Sequence, residues 1–187
     1  MPPSEALQTE DYLLGAFSGA AFGCGRARDL PGTPPNSRDL MTTKELLEFM
    51  RTQRLAVEAS VAPGGGTQAA LIGVGVTDAL ELVFDTVDTT RKCANLRRNP
   101  RLAFVIGGWA NGDERTVQYE GIADEPTKDE LARIKAAYFA MWPDGPSREV
   151  WPGIVYVRVR PMWIRYSDFN QNPPVIVEFD QQQLGSS

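Results

Sequence analysis

The sequence predicts a mainly β protein with peripheral helices, folded as a small split or closed antiparallel barrel. Three observations carry this reading. Short runs of β-type composition recur at close spacing and are joined by hairpin turn signals. Three helical segments stand apart from one another, two of them opened by capping boxes. Gly73-Val-Gly75 lies inside a strand pattern and lacks the third glycine and the following helix of a dinucleotide fingerprint, so a doubly wound sheet is disfavoured.

In chain order, residues 1–40 are rich in Pro, Gly and Ser and end in Leu30-Pro-Gly-Thr-Pro-Pro-Asn-Ser37, an arm or linker without regular period. A single domain is expected over 41–180. Thr42-Thr-Lys-Glu45 is a capping box, and Leu46, Leu47, Phe49 and Met50 give the helix 42–52 its apolar face. Strands follow over 55–61, 68–76 and 80–87, with the first hairpin turned by Pro63-Gly-Gly-Gly66. A helix over 88–98 is expected with Asp88 as N-cap, stopped before Asn99-Pro100. Strands 102–106 and 115–123 are joined by a turn at Asn111-Gly112. A second capping box, Thr127-Lys-Asp-Glu130, starts a helix to about Met141, closed by Trp142-Pro-Asp-Gly145. The last strands are 154–160, a break at Pro161, then 163–166 and 175–179, and residues 181–187 form a tail.

The 187 residues are 42% hydrophobic and 23% charged, enough to build a core, and the net charge of −5 speaks against nucleic acid as partner. There is no histidine, which removes Ser-His-Asp and Cys-His nucleophiles, His-containing zinc sites and His-ligated haem. Cys24 and Cys93 form no CxxC and are expected as free thiols. An acidic N-terminus without a basic leader or a spanning apolar stretch predicts a cytoplasmic protein that meets no membrane.

Chemistry concentrates at one corner. Arg91 and Lys92 fall in the first turn of their helix, where the macrodipole disfavours cations. The hydroxyls of Thr86, Thr89 and Thr90 surround them. Point charge, bidentate guanidinium, hydroxyls and free backbone N–H groups together suit a phosphate. The alternative is that both cations are solvated and pair with Asp85 or Asp88.

Glu81-Leu-Val-Phe-Asp-Thr86, Thr90-Arg-Lys92, Ala94-Asn-Leu96, Asn99-Pro100-Arg101 and Val117–Gly121 carry a resemblance over about residues 42–169. The chain resembles the FMN-binding split barrels related to pyridoxamine 5′-phosphate oxidase. The resemblance implies a homodimer with FMN at each end of the subunit interface. It places the phosphate on Arg91 and Lys92, beside Thr90, with Asp85 and Thr86 lining the flavin. The family's glutamine at the flavin pyrimidine edge falls on Thr116, with Gln118 on the same strand face as the alternative. Trp151 matches a tryptophan that packs at the flavin.

Two departures bear on activity. Residues 68–75 carry no basic side chain, and the C-terminal Arg-x-His motif of true pyridoxamine phosphate oxidases is absent. The resemblance therefore implies an FMN-dependent oxidoreductase acting on an unidentified small molecule, and the mostly aliphatic strand faces suggest that it is not densely charged. The alternative is a protein that binds, stores or senses a flavin or deazaflavin without turnover.

Overall fold

The computed structural model describes residues 41–108 and 110–185. The proposed arm at 1–40, with Cys24, lies outside the described residues. Eight strands form one curled antiparallel sheet, a split barrel with helices at its periphery. They are β1 (Leu55–Val61), β2 (Thr67–Gly73), β3 (Gly75–Val76), β4 (Leu82–Val87), β5 (Arg101–Gly107), β6 (Arg115–Asp124), β7 (Ile154–Asp168) and β8 (Val175–Phe179). The order is β2-β1-β5-β6-β7-β4-β3, with β8 paired to β7. The helices are α1 (Thr43–Thr52), α2 (Arg91–Arg98), α3 (Lys128–Met141), α4 (Gly145–Arg148) and α5 (Gln181–Leu184).

The capping box expected at α1 is made: Glu45 N donates to Thr42 Oγ1 at 3.2 Å and Thr42 N donates to Glu45 Oε2 at 2.7 Å. That at α3 is not. Lys128 takes a left-handed φ of 53°, Thr127 caps nothing, and Glu130 instead accepts from Arg133 and Arg158. α2 begins three residues later than expected. Thr90, not Asp88, is its N-cap, accepting from Cys93 N at 3.3 Å, while Asp88 N donates to Gly153 O. Consequently Arg91 and Lys92 are the first two helical residues.

The expected strand 68–76 divides at Val74. β3 leaves β1 to pair β4, and Gly75 lets α3 approach so closely that a Cβ would stand 2.8 Å from Tyr138 Cα. Trp142 closes the same break, donating to Val74 O at 3.0 Å. Pro161 does not break β7, which runs from 154 to 168; β7 bulges beside it, where Pro161 and Trp163 face Gly121 and Glu120 and Met162 between them has no partner on β6. The helical turn α4 was not foreseen, nor was α5 in the tail, where Asp180 and Gln183 form a capping box and Leu184 packs on the core.

Two apolar layers result. Phe84, Phe104, Tyr119, Ile106, Leu82, Ile164 and Met50 fill the barrel. On the outer side of β4 and β7, Val83 and Tyr156 pack against Ile134 and Tyr138 of α3. The outer face of β1, β2 and β5 has no such cover among the described residues. Leu71, Val105 and Leu55 stand 58%, 43% and 39% exposed there.

Candidate functional site

The end of β4 and the start of α2 build the corner. Phe84 points into the barrel, so strand alternation sends Asp85 outward and Thr86 back in. A turn at Val87–Thr90, closed by Thr90 N donating to Val87 O, brings Thr90 over Thr86, with hydroxyl oxygens 3.2 Å apart. Arg91 is exposed and Lys92 half-buried, and neither joins any ion pair found among the described residues.

Asp85 is engaged elsewhere. Its carboxylate accepts from Tyr138 Oη at 2.9 Å and Arg148 Nε at 2.8 Å. Beside that carboxylate and buried, the Tyr138 hydroxyl is held far above its ordinary pKa. The pairing of Asp85 with Arg91 or Lys92, one alternative from the sequence, is thus not formed, and the Asp85 side chain faces away from Thr86.

The Lys92 ammonium sits 5.4 Å over the Phe84 ring. Burial lowers its pKa, while the carboxylates of Glu58 and Asp85 oppose that shift. The Gln68 side-chain amide lies between Arg91, 3.0 Å from Nε, and the Asn95 amide, at 2.9 Å. Asn95 Nδ2 also reaches Ser60 Oγ at 3.4 Å. A polar line thus runs from the exposed guanidinium inward along α2, β2 and β1. Cys93, the next residue of α2, is a buried free thiol pushed up in pKa by desolvation.

Trp151 belongs to the same corner: it is 52% exposed on the loop whose Gly153 O accepts from Asp88 N at 2.8 Å. Thr116 and Gln118 are not brought there. Thr86 pairs with Val155 near the start of β7, whereas Thr116 pairs with Ser167 near its end. Both β6 residues lie on the outer face, where Gln118 borders a cavity of about 200 Å³ with Val57, Ala59, Val105 and Trp163.

Sequence reasoning missed Glu58, Gln68 and Asn95. Alternation along Ala56-Val-Glu-Ala-Ser60 places Ala56, Glu58 and Ser60 on one strand face, but it is the less apolar face of β1 and so carried no signal that Glu58 is buried.

The profile of the family described as pyridoxamine 5′-phosphate oxidase matches residues 42–168. The chain belongs to the pyridoxamine 5′-phosphate oxidase family. No curated protein sequence matches it. Among solved structures, this family member is similar to a haem binding protein from Mycobacterium smegmatis, with TM-score 0.63 and 16% identity over 83% of this chain. The chain spans 62% of that protein's length. It is also similar to a conserved hypothetical protein from Mycobacterium tuberculosis, with TM-score 0.56 and 23% identity over 78% of this chain and 88% of the other. A third is a protein from Listeria innocua named as a pyridoxamine 5′-phosphate oxidase, with TM-score 0.53 and 20% identity over 68% and 98% of the two chains. These likenesses show the fold. Within the described residues of this family member, no helix is long and apolar enough to cross a membrane, and no group of three or more Cys, Asp or Glu could hold a metal ion.

Proposed function

We propose that the chain is an FMN-binding oxidoreductase that works as a homodimer. The observation that carries this is the corner itself: Arg91 and Lys92 open α2, free of ion pairs among the described residues, beneath the adjoining hydroxyls of Thr86 and Thr90. A phosphate monoester there gains a guanidinium, an ammonium, hydroxyls and the N–H groups of a helix start. Bound flavin supplies hydride or electron chemistry to a small molecule, and the protein contributes position and electrostatics. A solved relative in fold, from Nostoc punctiforme, is named an FMN binding protein; another, from Mycobacterium smegmatis, is named for haem. We carry the flavin reading to this chain because it has no histidine to serve as an axial ligand.

Thr116 and Gln118 stand far from Arg91 along the sheet, and the apolar outer face of β1, β2 and β5 adjoins Gln118. A second copy covering that face supplies, in this reading, the flavin contacts that one chain leaves apart, with Trp151 at the rim of the phosphate corner. Asp85 contributes through its backbone, since Tyr138 and Arg148 hold its carboxylate. Pyridoxamine 5′-phosphate is not the substrate we expect, because residues 68–75 offer its phosphate no cation.

The test is titration of the apo-protein with FMN and with riboflavin. The parent is expected to prefer FMN, and Arg91→Ala to lose about tenfold to a hundredfold in FMN affinity with riboflavin unchanged. Equal losses for both ligands would move the phosphate elsewhere.

A further inference from the structure

Glu58 stands in the middle of β1 on the face turned into the barrel, 1% exposed, and its Oε1 meets no hydrogen-bond partner. Its register neighbours are Ala70 on β2 and Phe104 on β5, neither of which offers a side-chain donor. An unpaired carboxylate in such a place is costly unless a charge answers it.

Lys92 reaches toward the same space. Its Nζ lies over the Phe84 ring, and Phe84 packs edge-on against Phe104 with centroids 6.3 Å apart. Phe104 in turn is the register partner of Glu58. The charged or titratable groups facing Lys92 are Glu58 from β1, Asp85 from β4 and Cys93 of its own helix. Asp85 is taken up by Tyr138 and Arg148. Burial keeps the Cys93 thiol protonated. Lys92 is the charged group facing Glu58, with the Ser60 hydroxyl beside it. Glu58 is therefore the carboxylate with an oxygen still to satisfy.

We propose that Glu58 is a positioning residue of the phosphate corner: it is the internal counter-charge of Lys92, and an incoming phosphate competes with it for the ammonium. The proposal rests on the placement of the FMN phosphate given above and goes beyond it by naming what the phosphate displaces. Burial pushes the Glu58 carboxyl up and the Lys92 ammonium down. With the carboxyl ionised and the ammonium protonated, the pair carries no net charge. Replacing the carboxyl by an amide leaves the corner with a net cation. Acid does the same: as pH falls through the raised Glu58 pKa, the carboxyl is neutralised and Lys92 is released to the ligand.

Two measurements test this, the first without flavin. The lysines of the apo-protein are ¹³C-methylated, the Lys92 signal is assigned by its loss in Lys92→Arg, and it is titrated in the parent and in Glu58→Gln. The Lys92 midpoint is expected to fall by about one unit or more in the variant. An unchanged midpoint overturns the proposal. In the second, FMN and riboflavin affinities are measured from about pH 5 to about pH 8, a span in which a raised carboxyl titrates. Glu58→Gln is expected to bind FMN about tenfold more tightly than the parent at the alkaline end. That gain fades toward the acid end, and riboflavin is bound alike throughout. The phosphate's own ionisation cancels, because both proteins meet the same ligand.

A gain that is equal at every pH, or shared by riboflavin, overturns the proposal. A parent that binds both flavins alike refutes the phosphate placement and the competition with it, while the Lys92 titration still reports whether the pair exists. Glu58→Asp, which keeps the charge, is expected to follow the parent; behaviour like that of Glu58→Gln would make shape the cause and overturn the proposal. Glu58→Leu is the second neutral variant should the amide fail to fold.

Discussion

The hydroxyl oxygens of Thr86 and Thr90 lie 3.2 Å apart, one ending β4 and the other capping α2. This contact ties the strand to the helix that carries Arg91 and Lys92. It also fixes which backbone N–H groups stay free, since Thr90 Oγ1 accepts from Cys93 N and leaves those of Arg91 and Lys92 open.

Thr90→Ala is expected to cost about 1 kcal/mol of stability through loss of the cap, and to weaken FMN more than riboflavin. Urea denaturation and flavin titration read the two effects separately. Thr90→Ser should restore both.

The Asp85–Arg148 pair predicts a different pattern. Both side chains are largely buried, at 16% and 14% exposure, and Tyr138 completes the set. Arg148→Met leaves Asp85 with one donor and should destabilise the fold by about 2–3 kcal/mol, below the full cost of breaking a deeply buried pair. Asp85→Asn should cost less, since it keeps a hydrogen-bonding side chain. Because this cluster faces away from Thr86, apo-protein that remains folded should bind riboflavin normally; a large loss would bring the Asp85 side chain back to the flavin.

Stability should also depend on pH through Glu58. Its folded pKa is raised by burial, so the stability it permits is fully present below its unfolded pKa and is lost as pH rises through the folded one. Glu58→Gln should therefore melt a few degrees above the parent at mildly alkaline pH and together with it in acid. Equal melting temperatures at both ends would show that the carboxyl carries no net penalty.

For the outer face, we expect the parent to sediment as a dimer and Leu71→Lys with Val105→Glu to shift it toward the 20.6 kDa monomer. The two side chains are 58% and 43% exposed, and their replacement removes no described core contact. Unchanged mass in the double variant would place the dimer contact elsewhere.

Much of this fold was legible because its signals are local. The box at Thr42 to Glu45, the glycine turn at 63–66 and the alternation of 115–123 each follow from neighbouring residues. What failed depended on distant ones. Pro161 reads as a break until β6, distant in the chain, pairs across it and a bulge at Met162 absorbs the irregularity. Thr127–Glu130 reads as a box until Arg158, far along the chain, claims Glu130. Arg91 and Lys92 were legible in the same local way, as cations at a helix start. Glu58 was not, because β1 runs against the usual expectation. Leu55, Val57, Ala59 and Val61 form its more apolar face, yet the structure turns Ala56, Glu58 and Ser60 inward.

The long β7 has a consequence for how the chain is made. β4 and β6 do not pair with each other; β7 lies between them, joining β4 and β3 to the β2-β1-β5-β6 sheet, and it begins more than thirty residues after β6 does. As the polypeptide leaves the ribosome, β1, β2, β5 and β6 can zip into a sheet, but β4 waits with an unpaired edge until residues 154–159 emerge. Through that interval the nascent chain holds two strand edges open, the state in which β proteins most readily join the wrong partner. Closure is then a late, non-local step, so the assembly of the phosphate corner at the end of β4 follows the synthesis of a strand that contributes none of its cations.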